Sequence, residues 1–138
     1  MTRATTLIIA TIAFLDGVVA STATPCTVTH AGCGGIFSIF VLPVDFVVDV
    51  SDPVDPATLD ASAFTVNGTP AGEFALSNNT TTIIFHFTTS PARQGANIMH
   101  IAAGAFNCIN GRVLEFTCRI RYMLVRPFPT PHPRPIPQ

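Results

Sequence analysis

The stretch VLEFTCRIRYML, Val113 to Leu124, alternates apolar and polar side chains almost without a break. Leu114, Phe116, Cys118, Ile120, Tyr122 and Leu124 fall on one side, and Glu115, Thr117, Arg119 and Arg121 on the other. A period of two is that of a strand, whose successive side chains leave opposite faces; no helix would separate the two sets so well. One face of such a strand belongs on a core and the other in water.

The same period recurs upstream. In PVDFVVDVS, Val44, Phe46, Val48 and Val50 share one face and Asp45, Val47 and Asp49 the other. In SNNTTTIIFHFTTSP, Ile83, Phe85 and Phe87 oppose Thr82, Ile84, His86 and Thr88, and in NIMHIAAGAF, Ile98 and His100 oppose Met99 and Ile101 before an expected bend at Gly104 to Phe106. AFTVNG reads as a short strand closed by Asn67-Gly68, a pair suited to a turn that needs positive φ at both central positions. Between these strands DPVDPATLD acts as a corner, because Pro53 and Pro56 cannot donate to a ladder and push their predecessors out of helical conformation. Pro56 to Leu59 fits one helical turn capped by Asp55, with Leu59 plugging the core. Short alternating strands separated by turn signals predict an all-β sandwich.

At 138 residues the chain has room for one such core. Residues 25–125 are assigned to it. The tail 126–138, RPFPTPHPRPIPQ, alternates proline with other residues and is expected to be extended polyproline II. The apolar N-terminal segment 1–24 supports two readings. Arg3, the run Leu7 to Leu15 and the small residues after it resemble a secretory signal, and the run is too short to span a bilayer. Asp16 directly after that run is unusual for a signal. Retained, TTLIIATIAFL would be a strand with apolar side chains on both faces, Leu7, Ile9, Ile12 and Phe14 among them, as inside a stack of sheets. Only 11% of residues are charged while 48% are hydrophobic, and the mean hydropathy is +0.47. Some of that apolar surface has to be removed or buried against another chain.

Four cysteines suit an oxidising compartment. Cys26 and Cys33 bracket one turn-rich stretch, Cys108 and Cys118 another, and the local pairings Cys26–Cys33 and Cys108–Cys118 are the expected ones among three possibilities. Zinc is disfavoured because neither pair has Cys-x₂-Cys spacing.

Chemistry-bearing residues each have a simpler structural reading. Asp45, Asp49, Asp52, Asp55 and Asp60 are candidate Ca²⁺ ligands, Asp49, Asp52 and Asp55 foremost, but no EF-hand-like loop is present and a solvated strand face followed by a capped turn explains every acid. His86 and His100 would make a metal pair only if adjacent across a ladder and joined by a third ligand; His30 and His132 fall in a loop and the tail. Arg119, Arg121 and Glu115 form a mixed-charge stripe, a solvated sheet face by default. No G-x-S-x-G elbow accompanies the serines. No catalytic residues, cofactor or metal are therefore assigned, and the protein is expected not to be an enzyme. The net charge of −1 and seven dispersed arginines argue against nucleic acid. Asn67, Asn78 and Asn79 begin N-x-[ST] triplets in turns, and Thr130 lies between prolines, so these four are candidate glycan sites.

The combination DFVVDVSDPVDPATLDASAFTVNG, TTIIFHFTTSPARQG, MHIAAGAFN and LEFTC, spanning about Pro43 to Tyr122, resembles bacterial Ig-like domains of secreted and cell-surface proteins. The resemblance rests on Ser51, Pro53, Val54, Asp55, Pro56 and Thr58 at the corner, Phe64 to Gly68, and Ala103 to Phe106. It implies an immunoglobulin-like Greek-key β-sandwich outside the cytoplasm, used as a spacer, stalk or adhesion unit, and brings no catalytic residues. Such domains commonly occur in tandem, whereas a single one is visible here between an apolar segment and a proline-rich tail. The functional expectation is an extracellular or cell-surface structural protein with no membrane segment in its mature form. Its partners would be other copies of itself, joined by β-strand addition of the N-terminal segment into a filament or array. The alternative is a monomeric adhesion or carbohydrate-binding module with cell-surface glycans as partners, although Tyr122, the lone Tyr, points inward and Trp is absent.

Overall fold

The computed structural model describes residues 23–125. The candidate assembly positions Leu7, Ile9, Ile12 and Phe14, together with Thr130 and His132, lie outside the described residues.

The described chain is all-β. In order it forms β1 (Val28–Thr29), β2 (Ile36–Ile39), β3 (Asp45–Val50), β4 (Phe64–Val66), β5 (Thr69–Pro70), β6 (Glu73–Ser77), β7 (Thr82–His86), β8 (Gly95–Ile101), β9 (Asn107–Cys108), β10 (Gly111–Arg112) and β11 (Phe116–Leu124). One sheet has the order β1-β3-β7-β6 and is antiparallel throughout. The other has the order β2-β11-β8-β4-β5, antiparallel except that β2 runs parallel to β11. β9 and β10 form a separate hairpin.

The two larger sheets face each other across one core, an arrangement consistent with a β-sandwich. Phe64 of β4 stacks on Phe85 of β7, ring centroids 4.6 Å apart and planes 10° from parallel, so a side chain from each sheet meets at the centre. Phe87 packs edge-on against both Phe64 and Phe46 of β3. Each buried ring contributes roughly 2–3 kcal/mol of hydrophobic stabilisation. Alternation holds where it was expected: β3 buries Phe46, Val48 and Val50 and exposes Asp45, Val47 and Asp49, and β11 buries Phe116, Cys118, Ile120 and Tyr122.

The proline corner is local chemistry. Pro56–Thr58 is a single 3₁₀ turn, tighter than an α turn, and Asp55 caps it by accepting from Ala57 N at 3.1 Å. A second 3₁₀ turn, Ala61–Ala63, is capped by Asp60, and Leu59 between the two turns is buried as expected. Asn67 and Gly68 both have positive φ, 53° and 84°, as the β4–β5 turn requires.

Two expectations need correction. The disulfides are Cys26–Cys108 and Cys33–Cys118, not the local pairs Cys26–Cys33 and Cys108–Cys118. Nearness in sequence misled because the segment around Cys26 lies alongside Val113, in a parallel bridge, and Cys33 sits in a turn draped over β11. Each bond thus joins the beginning of the sandwich to its end. Leu114 does not share the buried face of β11: the strand starts at Phe116, Leu114 N donates to Cys26 O at 2.9 Å, and its side chain is exposed.

Candidate assembly surface

The most distinctive surface is built around β2, and the sequence before it explains its position. In HAGCGGI the turn is closed by Cys33 N donating to His30 O and Gly35 N to Gly32 O, and Gly34 sits at φ 79°, a conformation glycine adopts without penalty. Gly34 N then donates to Arg119 O at 2.7 Å, and the Cys33–Cys118 bond fastens the turn to β11. From there IFSI runs along the last half of β11 with Ile36 opposite Arg121 and Ile39 opposite Leu124.

Among the described residues β2 is an edge strand, and it is apolar. Ile36 is 68% exposed, Phe40 71% and Val41 78%; Phe37 and, on β11, Met123 add to the same end of the molecule. No charged residue occurs from Ala31 to Val44. Natural edges are usually blunted by charge, proline or brevity. The other edges here are: β5 and β1 have two residues each, and β6 presents Glu73, Ala75 and Ser77 outward.

The polar residues picked out by sequence are brought together only in pairs. His86 and His100 lie in different sheets. Nδ1 of His86 donates to Asp45 Oδ1 at 2.6 Å, and Nε2 of His100 donates to Glu115 Oε2 at 2.9 Å. Asp49 Oδ1 accepts from Thr82 Oγ1, Asp55 caps its turn, and Asp60 accepts from both N and Oγ of Ser62, which holds its carboxyl below the ordinary 3.8. Among the described residues no three His, Cys, Asp or Glu side chains form a group that could hold a metal ion, so Asp49, Asp52 and Asp55 do not assemble into a Ca²⁺ site. A surface hollow of about 510 Å³ between Val54–Pro56 and Asn107–Arg112 has Asp55 as its lone carboxylate, already engaged in the cap. Arg119 and Arg121 are exposed on the outer face of the five-stranded sheet.

The three Asn triplets separate clearly. The Asn67 amide nitrogen donates to Pro91 O at 3.0 Å and to Asn97 Oδ1 at 2.8 Å, so it cannot also carry a sugar in the folded chain. Asn78 Nδ2 donates to Thr82 Oγ1. Asn79, at φ 56° on the β6–β7 turn, is exposed and makes no side-chain hydrogen bond among the described residues. Sequence reasoning missed Asn97 altogether, although it is fully buried. The one available signal was an Asn sharing the alternating face of Met99 and Ile101.

Comparison with protein families, with curated proteins and with solved structures finds no match for this chain.

Proposed function

We propose that the protein is a non-enzymatic structural subunit of an extracellular or cell-surface assembly. It would be built as an immunoglobulin-like Greek-key sandwich and joined to other copies by β-strand addition of its N-terminal segment. The observation that carries this reading is the β2 edge, open among the described residues, which offers backbone hydrogen bonds beside exposed Ile36, Phe40 and Val41. An unprotected apolar edge is a template for another strand, and strand addition satisfies its amides and covers its side chains together. The chain itself carries a segment of matching chemistry in TTLIIATIAFL.

The strand order supports the topology. β3 and β7 are neighbours in one sheet while β4 and β8 are neighbours in the other, so the chain changes sheet between β3 and β4, returns between β5 and β6, and changes again between β7 and β8, as Greek-key sandwiches do. Two disulfides fit an oxidising location. No helix among the described residues is long and apolar enough to cross a membrane.

Electron microscopy and sedimentation of the purified full chain, beside a variant lacking residues 1–24, test the reading. Oligomers or filaments that need the N-terminal segment are expected. A monodisperse monomer from the intact chain overturns the proposal.

A further inference from the structure

Resting on that reading, we infer that β2 is the acceptor edge for the segment Thr5 to Leu15 of another copy, and that the resulting assembly is head-to-tail and open-ended.

The first step is the hydrogen-bonding parity of β2. Arg121 N donates to Gly35 O at 3.0 Å and Val125 N to Ile39 O at 2.8 Å. In a parallel ladder a residue turns its N–H and C=O to the same side, and successive residues alternate. The odd-numbered residues of β2 are therefore committed to β11, and Ile36 and Ser38 direct their backbone groups away from the sheet. Those groups are what an added strand would bond.

The second step is where the described chain begins. Thr24 N donates to Asn110 O, Cys26 N to Arg112 O, and Thr24 backs directly onto Gly111, where a Cβ would collide with its carbonyl. The chain thus emerges beside the β9–β10 hairpin, near the start of β11. β2 lies beside Arg121 to Leu124, at the far end of that strand. A nine-residue strand rises by about 27 Å between its first and last residues, so donor exit and acceptor edge occupy opposite ends of the sandwich. An eleven-residue donor spans about 36 Å when extended, enough to cover all of β2.

Opposite placement sets the symmetry. Donor and acceptor are different surfaces, so each copy seated on a neighbour leaves one donor and one acceptor free; the contact is heterologous and adds copies in one direction. A paired β2–β2 contact would instead be two-fold and stop at a dimer.

Three full-length variants separate the possibilities by sedimentation velocity and electron microscopy. Ser38→Pro removes an outward N–H and leaves the bonds to β11 intact; Phe40→Asp puts charge on an exposed position of the same edge. Ile9→Asp with Ile12→Asp disables the donor. Each variant alone is expected to lose the large species seen with the parent chain, and mixing either β2 variant with the donor variant is expected to give a 1:1 dimer that grows no further. Persistence of filaments in both β2 variants, while the donor variant is monomeric, overturns β2 as acceptor but keeps strand addition. Dimers in the donor variant alone, lost in the β2 variants, overturn the head-to-tail arrangement in favour of a two-fold β2 contact. A parent chain that is monomeric overturns both readings.

Discussion

Asn67 and Asn97 interlock across the end of the five-stranded sheet: Nδ2 of Asn67 donates to Oδ1 of Asn97 at 2.8 Å, and Oδ1 of Asn67 accepts from Ile98 N at 3.0 Å. Asn97 is fully buried and uses all of its remaining capacity, accepting from Arg93 N and donating to Arg93 O and Gly95 O, each at 2.8–2.9 Å. One side chain thereby ties the loop before β8 to the β4–β5 turn.

Asn97→Leu would strip Asn67 Nδ2, Arg93 N, Arg93 O and Gly95 O of a partner in a part-buried bond, at about 1–3 kcal/mol for each that water does not reach. With some relaxation, a loss of about 3–5 kcal/mol is expected. It would be read as a lower denaturation midpoint with an unchanged m-value. A loss below about 1 kcal/mol would show that the knot is dispensable.

The disulfide connectivity is checked by a tryptic map without reduction. Cleavage at Arg93, Arg112 and Arg119 puts Cys26 and Cys33 on one peptide, Cys108 on a second and Cys118 on a third. The structure requires all three to travel as one species, whereas local pairs would leave the first peptide free. Replacing Cys33 and Cys118 by Ser should leave the first two peptides joined; because Cys26–Cys108 already holds the two segments together, the second bond closes a loop of only about 17 residues, and its loss should cost about 3 kcal/mol.

Tyr122 gives a clean pH signal because the chain has one Tyr and no Trp. Burial raises its phenol above the ordinary 10.0. The folded chain then keeps a proton that the unfolded chain releases, so the associated stability is complete below pH 10.0 and is lost as pH rises toward the folded-state value. Tyrosinate absorbance should appear at higher pH in the native protein than in denaturant; coincident curves would contradict the burial.

Glycosylation should be selective. Secreted from a host that modifies N-x-[ST] triplets, the protein is expected to carry one N-linked glycan, at Asn79, and intact mass should show it vanish in Asn79→Gln. Occupancy at Asn67 would contradict its bonds to Pro91 and Asn97.

The strands were legible because their signal is periodic. Phe46, Val48 and Val50, or Phe116 through Tyr122, declare a buried face without reference to any partner. The corner was legible because Asp55, Pro56 and Asn67-Gly68 act through their own backbone. The cysteine pairing was not, since it depends on which distant segments become neighbours. Cys26 meets Cys108 only after the intervening strands are stacked, and no spacing rule encodes that. Asn97 escaped notice for the same reason, its partners being Asn67 and a loop. β2 was hidden because IFSIFV has too little polar punctuation to reveal a face, and only the fold shows that one edge of it has no neighbour among the described strands.

Because Cys26 and Cys33 are bonded to Cys108 and Cys118, a pull applied at Ala23 and Val125 travels through sulfur and bypasses most of the sandwich. Freed of those links the described chain would stretch to roughly 350 Å; with them the taut path is roughly 60 Å. Tension strong enough to peel the sheets apart would therefore lengthen each unit by about 30 Å in place of roughly 300 Å, and a row of such units would yield under load without coming undone.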